Sequence, residues 1–395
     1  MDDNITKKIN EYLENLKKNE IYRSLKEISG PNSSRIIVNK KEVLNFCSNN
    51  YLGLSTHPEV IAYTIKILNE YGTGAGSSRL IAGNLSPVVM LEEALAKFSG
   101  AESALVFPSG YQANIGIITS LAGKNDAIFC DHLCHASIID GALLSRAKLF
   151  RYPHKNSKAL KDMLSRYKTK FRRKLIITES IFSMDGDIAP LSEIAELASK
   201  FNTFLLIDEA HAFGILGKEG RGALEIFGLK PEKAVMVMGT MGKTLGSSGA
   251  FVACTKELKE YFINKARSFI FTTGIAPAIC GTALKSLEII CKFPGQGENL
   301  IHKAKIFRDE LKKSGFNCME SESQIIPVLT GDNTKTMLFS KKLLDSGIYI
   351  QGIRPPTVPP KSARLRISVM STHTEENISE CLKKTSDIGK TLGII

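Results

Sequence analysis

The sequence predicts an α/β protein: a large domain with a mostly parallel sheet flanked by helices, followed by a smaller C-terminal α+β domain. Apolar runs of strand length alternate with helical patterns from about residue 100 to residue 255, and strands joined through helices pair in parallel. Around Gly295 the pattern changes to charged helices and short strands. We therefore assign residues 1–50 to an N-terminal helix and small hairpin, 51–290 to the large domain and 291–395 to the C-terminal domain.

The composition is that of a packed globular protein. Of 395 residues, 43% are hydrophobic and 23% are charged, which argues against disorder. The start lacks an apolar core of signal-peptide length, and the sequence has no run of about eighteen apolar residues, so we expect a cytoplasmic protein. The eight cysteines show no disulfide-framework spacing, and we expect them to be reduced.

The formal net charge of +12 would suit nucleic acid, an anionic membrane surface, or anionic substrates such as coenzyme A or an acidic carrier protein. Basic residues are spread along the chain, with only short clusters such as Lys168–Lys174. This distribution favours an ordinary solvated surface. Because no recognition motif accompanies the charge, we predict neither a nucleic-acid nor a membrane partner.

The N-terminal region carries helical spacing over residues 5–29 and a hairpin pattern over 36–46. Asn49 lies in the polar loop that follows this hairpin. Such a loop is typical of a functional site, although a helix cap with a turn explains it equally well. The glycine-rich segment Gly72–Arg79 permits close approach of the backbone to a ligand. No strand precedes this segment, so it is not a dinucleotide-binding fingerprint.

The apolar run Ala104–Phe107 predicts a strand that leads through Ser109 into a helix. Backbone N–H groups at such a helix start bind phosphate, which makes Ser109, Gly110 and Tyr111 candidate ligands. Tyr111 is also placed to shield a flat ring.

Two cysteines and two histidines lie in Cys130–His135. We disfavour a zinc site and predict no metal, because no second ligand pair with zinc-site spacing follows. The preferred interpretation is a strand that ends near Asp131, with His135 beginning the next helix and lying over a flat cofactor. A histidine that caps this helix is the alternative.

Two further apolar runs end in the residues that indicate a cofactor. Asp208 and His211 follow one run, and Thr240 and Lys243 follow the next. An aspartate facing a pyridinium nitrogen and a lysine forming a Schiff base are what pyridoxal phosphate (PLP) needs from its protein. The Gly-Lys-Thr at Lys243 is not a phosphate-binding P-loop, because that motif requires glycine where this chain has Val237.

The C-terminal region predicts strands over 325–329, 349–353 and 363–369 and a helix over 336–346. The last of these strands carries Arg364 and Arg366. We expect these arginines to point to opposite faces, so that one binds a carboxylate and the other faces solvent.

Taken together, these segments resemble the α-oxoamine synthases, fold-type-I PLP enzymes that condense an amino acid with an acyl thioester and release carbon dioxide. The likeness runs from about Arg23 to His373. The motifs that carry it are Asn45–Leu54, Ser109-Gly110, His135-Ala-Ser137, Glu179–Gly186, Asp208–His211, Gly220–Gly222, Thr240 with Lys243, and Thr272-Thr273.

The resemblance implies a role for each cofactor residue. Lys243 would hold PLP covalently and act as general base, Asp208 would keep the ring nitrogen protonated, His211 would bind the phenolic oxygen and His135 would stack on the ring. The backbone amides of Gly110 and Tyr111 and the hydroxyl of Thr240 would bind the phosphate, and Thr273 would arrive from the second subunit of a homodimer. Ser109 and Ser183 would be further residues of the cofactor site.

The resemblance also implies a substrate. The segment Ile353–Pro359, which contains Thr357, followed by Ala363–Arg366, is most similar to the biotin-pathway branch that uses L-alanine with pimeloyl-CoA or a pimeloyl carrier protein. Arg366 would bind the carboxylate of alanine, with Asn49 and Ser183 ordering the site, and Arg23 would bind the distal carboxylate of the acyl chain.

Other interpretations stay open. A relative that uses glycine or serine would share every cofactor residue and differ in the acyl pocket. A non-catalytic PLP-binding regulatory protein is disfavoured because the lysine and its supporting groups are all present. The hypothesis of a nucleic-acid-binding protein is supported by the net charge alone.

Overall fold

A computed structural model describes residues 3–395 and divides the chain into two compact units. The first unit contains the described residues up to Ser48, the three residues Met184–Gly186, and His302–Ile395. The second unit contains Asn49–Ser183 and Asp187–Ile301. Among the described residues, no helix is long and apolar enough to cross a membrane.

The helices and strands are numbered in chain order. The helices are α1 Asp3–Lys18, α2 Pro58–Tyr71, α3 Ser86–Ser99, α4 Gly110–Leu121, α5 Ala136–Ser145, α6 Ser157–Arg166, α7 Leu191–Lys200, α8 Ala223–Ile226, α9 Lys256–Lys265, α10 Arg267–Ile270, α11 Pro277–Lys292, α12 Gln296–Lys313, α13 Asn333–Asp345 and α14 Glu375–Thr391, with a short 3₁₀ helix at Leu54–Thr56. The strands are β1 Ile28–Ser29, β2 Arg35–Val38, β3 Lys41–Asn45, β4 Ser103–Phe107, β5 Ala127–Asp131, β6 Lys148–Tyr152, β7 Lys174–Glu179, β8 Phe204–Asp208, β9 Val235–Thr240, β10 Ala250–Cys254, β11 Ile325–Gly331, β12 Ile348–Tyr349, β13 Gln351–Ile353 and β14 Ala363–Ser368.

The second unit is built on a seven-stranded sheet in the order β4-β10-β9-β8-β7-β5-β6. The strands from β9 to β6 pair in parallel, and β10 pairs antiparallel with both β9 and β4. Every residue of β4, β5 and β10 is buried, as expected for strands covered on both faces. The mostly parallel α/β sheet that the alternating pattern predicts is confirmed.

The first unit contains two small sheets, in the orders β1-β2-β3-β12 and β11-β14-β13. The predicted hairpin is present as β2 and β3. The single strand predicted over 349–353 is wrong, because β12 pairs with β3 and β13 pairs with β14. The buried residue Ile350 lies between these two strands and belongs to neither of them. Its carbonyl instead accepts a hydrogen bond from the hydroxyl of Ser340 at 2.6 Å.

The sequence predicts separate N-terminal and C-terminal regions, but residues of both belong to this one unit. β12 extends the sheet of β3 in parallel, and the Ser368 nitrogen donates to the Phe46 carbonyl at 2.8 Å. Whether the boundaries 1–50, 51–290 and 291–395 delimit folding domains stays a prediction.

The helix predicted over 5–29 is too long, since α1 ends at Lys18. Glu20 has a φ of 57°, outside the right-handed helical region. The guanidinium of Arg354 donates to the carbonyls of Glu20 and Tyr22, so contacts with residues more than 300 positions away replace further helical hydrogen bonds. Periodicity within the segment carries no information about such a partner.

His154 connects two buried carboxylates at the edge of the large sheet. Its Nδ1 lies 3.0 Å from Asp131 Oδ1 and its Nε2 lies 2.9 Å from Asp187 Oδ2. Burial opposes the charged ring, but the hydrogen bonds to both carboxylates outweigh it and raise the pKa of His154 to about 9. Burial likewise opposes the charged form of Asp187, yet the contact with His154 lowers the pKa of that carboxyl.

We expect His154→Gln to lower the free energy of unfolding near pH 6 by about 2–3 kcal/mol. The reason is that His154 binds its proton more tightly in the folded protein than in the unfolded chain, and this difference stabilises the folded state. The folded-state pKa lies above the unfolded value of 6.5, so this stability is fully present below pH 6.5 and is lost as the pH rises through about 9. Urea unfolding at pH 6 and pH 10 measures the difference. The exposed neighbour His132→Gln is the control, and a difference that grows towards pH 10 would contradict the assignment.

Candidate active site

The carboxyl ends of β7, β8 and β9 open into a cavity of about 210 Å³ within the second unit. Parallel strands bring their carboxyl ends to one edge of the sheet, where ligands of such sheets bind. The predicted site residues that line the cavity are Gly110, Tyr111, His135, Asp208, His211, Thr240 and Lys243. Asn114, Ser137, Glu179, Ala210 and Met238 complete its wall.

Lys243 lies in the turn between β9 and β10. Its Nζ is 2.9 Å from His211 Nε2, and the other ring nitrogen of His211 is 2.6 Å from the hydroxyl of Tyr51. Tyr51 is fully buried and donates to Asn49 Oδ1 at 3.1 Å. The turn needs glycine at Gly246, where φ is 58° and a Cβ would clash with the backbone of the loop at residue 55. The amine is thereby held against a buried imidazole.

Asp208 ends β8 on the floor of the cavity and is almost fully buried. Its Oδ1 accepts the backbone N–H of Ala210 at 3.0 Å, and its Oδ2 accepts Nδ2 of Asn114 at 3.0 Å. These two donors fix the orientation of the carboxyl group. A buried carboxylate so fixed can pair with a cationic ring nitrogen in a low-dielectric site, where the interaction is strong.

His135 is the N-cap of α5, and its Nδ1 accepts the Ser137 backbone N–H at 3.2 Å. It also lines the cavity. The two interpretations drawn from the sequence therefore do not compete, because the ring caps the helix through one nitrogen and still lies at the cavity wall. His135 as a whole residue is exposed, but partial burial of its ring lowers the pKa of His135, with Lys243 adding to the effect and Asp208 and Asp140 opposing it.

Glu179 lies opposite Asp208 in the parallel pairing of β7 with β8, and it is 3% exposed. Its Oε1 accepts the backbone N–H of His135 at 2.6 Å, and Ser183 donates a backbone hydrogen bond to the same carboxyl. Burial, followed by repulsion from Asp208, raises the pKa of Glu179 well above its ordinary value. Ser183 thus contacts a cavity residue without lining the cavity itself.

The start of α4 presents the predicted phosphate cradle. Ser109 is its N-cap and accepts the Gln112 N–H at 3.2 Å, and a Cβ at Gly110 would meet nothing within 4 Å. Tyr111 is 46% exposed and donates its hydroxyl to Asp140 at 2.7 Å. Thr240 Oγ1 accepts the Gly242 N–H at 3.3 Å. Backbone donors and hydroxyls therefore meet at a helix N-terminus, as phosphate binding requires.

Thr273 does not line this cavity. It is exposed and forms an isolated bridge with Ser78 in the glycine-rich segment. The nitrogen of Gly274 donates to the Ser77 carbonyl at 2.9 Å.

The remaining predicted substrate residues lie in the first unit. Arg23 and Thr357 line a separate cavity of about 520 Å³ with Lys26, Tyr349 and Arg354. Arg23, Lys26 and Arg354 make this cavity positively charged, because no aspartate or glutamate is among the described residues that line it.

The prediction for the two arginines of β14 is wrong. Residues two apart on a strand point to the same face, and both side chains are buried, Arg364 at 2% and Arg366 at 8% exposure. Arg364 pairs with Asp185, and Arg366 Nη1 donates to Ser368 Oγ at 2.8 Å on the same face of the strand. Neither arginine faces solvent.

Four polar wall or support residues were missed as site candidates: Tyr51, Asn114, Ser137 and Glu179. Three of them stand inside motifs that carried the resemblance, which was an available signal. Asn114 had no such signal, because nothing local distinguishes it from other polar residues of a helix. Among the described side chains, no group of three or more His, Cys, Asp or Glu is arranged to hold a metal.

Comparisons with known proteins agree with this geometry. A family model for class I and II aminotransferases matches residues 41–384. The chain is 45% identical to an 8-amino-7-oxononanoate synthase of Geotalea daltonii, over 97% of this chain and 98% of the relative. It is 44% identical to the enzyme of the same name from Geobacter metallireducens, over 99% and 100% of the two chains.

Solved structures give the same picture. A serine palmitoyltransferase from S. paucimobilis, with PLP and myriocin bound, superposes with a TM-score of 0.92 at 31% identity and covers 98% of both chains. An 8-amino-7-oxononanoate synthase from Francisella tularensis superposes with a TM-score of 0.78 at 30% identity, over 89% of this chain and 99% of the other.

The residues of the cavity fit PLP. Lys243 supplies an amine, Asp208 a fixed buried carboxylate and His135 a flat ring, while the space beside Gly110 admits a group against the N-terminus of α4. The chain belongs to the class I and II aminotransferase family, and within it to the PLP-dependent α-oxoamine synthases.

Proposed function

We propose that the protein condenses L-alanine with a pimeloyl thioester, with loss of carbon dioxide, to give 8-amino-7-oxononanoate and a free thiol carrier. The observation that carries this proposal is the 42–46% identity, over nearly the whole chain, to relatives of that name. The cavity beside Lys243 supplies the chemistry that such a reaction needs.

Lys243 is proposed as the residue that binds the cofactor and moves the proton at Cα of alanine. PLP, when bound, supplies an electron sink for the carbanion formed at that carbon. His211 lies between Lys243 and Tyr51, where it orients the amine, and it is proposed to bind the phenolic oxygen of the cofactor. Asp208 is proposed to hold the ring nitrogen in its protonated form, because its carboxyl group is already fixed by two donors.

The phosphate is proposed to bind the N–H groups of Gly110 and Tyr111 and the hydroxyl of Thr240, with Ser109 and Ser183 as further residues of the cofactor site. Thr273 would complete this site in a neighbouring subunit of a homodimer. Support comes from the exposure of Thr273 and of two apolar side chains. Phe271, two residues before Thr273, is 69% exposed, and Ile81, three residues after its bridge partner Ser78, is 82% exposed. Exposed apolar patches of this kind mark interfaces.

Positive charge supports the proposed substrate-binding residues. Arg366 would bind the alanine carboxylate together with Asn49. Arg23 and Thr357 lie in a positively charged cavity suited to the distal carboxylate of the acyl chain. The thiol carrier, coenzyme A or a carrier protein, is anionic in either case and suits the net charge of +12.

The proposal is tested by assaying the purified enzyme with L-alanine and a series of dicarboxylic monothioesters of increasing length, on both carriers. We expect the highest kcat/KM with the pimeloyl thioester. Parallel assays with glycine and acetyl-CoA, and with serine and a long-chain acyl-CoA, test the other members of the family. A preference for either of these pairs would overturn the proposal.

We expect Arg23→Ala to raise the KM for the pimeloyl thioester about 10- to 100-fold, because a charge-assisted hydrogen bond contributes about 1.5–3 kcal/mol. The KM for a monocarboxylic thioester of equal length should change little. Steady-state kinetics with both thioesters checks this. Arg35→Ala, an exposed arginine of the same unit paired with Glu42, is the control. An equal rise for both thioesters would refute a role in binding the distal carboxylate.

A further inference from the structure

Asn114 connects Asp208 to His135 through a chain of hydrogen bonds, of which the two made by Asn114 are buried. Its Nδ2 lies 3.0 Å from Asp208 Oδ2 and 2.9 Å from Ser137 Oγ. Ser137 Oγ lies 2.8 Å from His135 Nδ1. Asn114 and Ser137 are each 1% exposed and Asp208 is 4% exposed, so water does not compete with the two contacts of Asn114. His135 itself is exposed, and its bond to Ser137 is half-buried.

The charge of Asp208 sets the direction of every bond in this chain. A carboxylate only accepts hydrogen bonds, so the amide of Asn114 must turn its nitrogen, and not its oxygen, towards Asp208. The second hydrogen of the same NH₂ group points to Ser137 Oγ. The hydroxyl of Ser137 accepts that bond, and its own proton is left to donate to His135 Nδ1.

The backbone supports the same assignment. The Ser137 N–H donates to His135 Nδ1 at 3.2 Å, and a backbone nitrogen has no alternative role as acceptor. Two donors therefore converge on Nδ1. A neutral imidazole with an unprotonated Nδ1 carries its proton on Nε2.

A second observation, independent of His135, fixes the amide. Oδ1 of Asn114 is buried and has no hydrogen-bond partner among the described residues. Leaving a buried acceptor unpaired costs free energy, so the orientation must be held by something stronger. Turning the amide over would place Oδ1 against the Asp208 carboxylate, and that repulsion explains why the unpaired orientation persists.

We propose that Asn114 and Ser137 are positioning residues that couple Asp208 to His135 and hold His135 as the neutral tautomer protonated on Nε2. What His135 does in turnover rests on the proposed function. The tautomer itself does not, because it is set by residues of the chain.

The charges around His135 agree with a neutral ring. Burial is the main cause that lowers the pKa of His135, and Lys243 acts in the same direction. Asp208 and Asp140 raise it, and Glu179 contacts the backbone nitrogen of His135 without contacting the ring. The neutral ring offers one N–H donor, Nε2–H, at the cavity wall. It does not place a positively charged imidazolium near the amine of Lys243.

The test is ¹⁵N NMR of histidine-labelled apoenzyme and PLP-loaded enzyme at pH 8, with the His135 signals assigned through His135→Phe. We expect an unprotonated Nδ1 and a protonated Nε2 in both forms. A protonated Nδ1 in the wild-type enzyme would overturn the proposal without recourse to any variant. The measurement needs no substrate, so its failure is distinct from a failure of the alanine and thioester assay.

Two variants test the connection. Both variants keep the backbone N–H of residue 137 but lose the oriented hydroxyl donor to Nδ1. Ser137→Ala and Asn114→Ala should therefore each lower the population of the tautomer protonated on Nε2, shift the pH profile of kcat, and lower kcat about tenfold, equivalent to the loss of about 1.4 kcal/mol. Ser145→Ala, a buried hydroxyl on the same helix α5, should change none of these more than about twofold. If both site variants keep the wild-type tautomer, Asn114 and Ser137 are structural only and the proposal is wrong.

Discussion

Lys243→Ala is expected to lower kcat for the condensation about 1000-fold or more, because it removes both the covalent tether of the cofactor and a general base whose contribution alone is about 10²–10⁴-fold. The visible absorbance of the tethered cofactor should be lost at the same time. Lys243 lies 2.9 Å from His211 in the turn after β9, and no other lysine lines the cavity among the described residues. Rapid-quench assays with L-alanine and pimeloyl thioester, together with absorbance spectra, measure both effects.

The matched control is Lys200→Ala, an exposed lysine at the end of α7, which should leave kcat and the absorbance unchanged. Circular dichroism of both variants excludes unfolding as the cause. Turnover of Lys243→Ala within tenfold of wild type would contradict the assignment of this lysine.

Asp185→Ala is expected to destabilise the protein by about 3–5 kcal/mol, because removing one partner of a buried ion pair leaves the other charge uncompensated. Arg364 is among the largest fully buried side chains and pairs with Asp185 within the first unit. Its other contacts are the carbonyls of Met184 and Ser362, which cannot neutralise a guanidinium. Urea unfolding at pH 7 measures the loss.

The double variant Asp185→Ala with Arg364→Leu should recover most of that loss, because it removes the buried charge together with its partner. Asp309→Ala is the surface control: Asp309 pairs with Lys305 at 2.7 Å where both side chains are largely exposed, and it should cost less than about 1 kcal/mol. A loss in Asp185→Ala as small as in this control would show that Arg364 does not depend on Asp185.

Much of the fold and of the cofactor cavity could be predicted from residues that are close in sequence. The strands of the large sheet are short apolar runs, and each ends where its polar residues begin. Because parallel strands align their carboxyl ends, Asp208, His211 and Lys243 had to converge once the sheet was parallel. Their joint position at one cavity needed no knowledge of distant contacts.

The contacts that orient these groups could not be predicted in the same way. Tyr51 meets His211 across 160 residues, and Asn114 meets Asp208 across 94. Neither partner changes the local periodicity of its own segment. The end of α1 depends on Arg354 for the same reason. The error at Arg364 and Arg366 is different in kind, since strand alternation itself places residues two apart on one face.

The parallel pairing of β3 with β12 also constrains the order in which the molecule can be assembled during synthesis. These neighbours are separated by about 300 residues, as the contact between Cys47 and Tyr349 illustrates. At a translation rate of about 5–20 residues per second, roughly 15–60 s pass between the appearance of β3 and that of β12. The whole of the second unit lies between β3 and β12 in the chain, so the sheet that contains β3 and β12 cannot be completed until that unit has been synthesised.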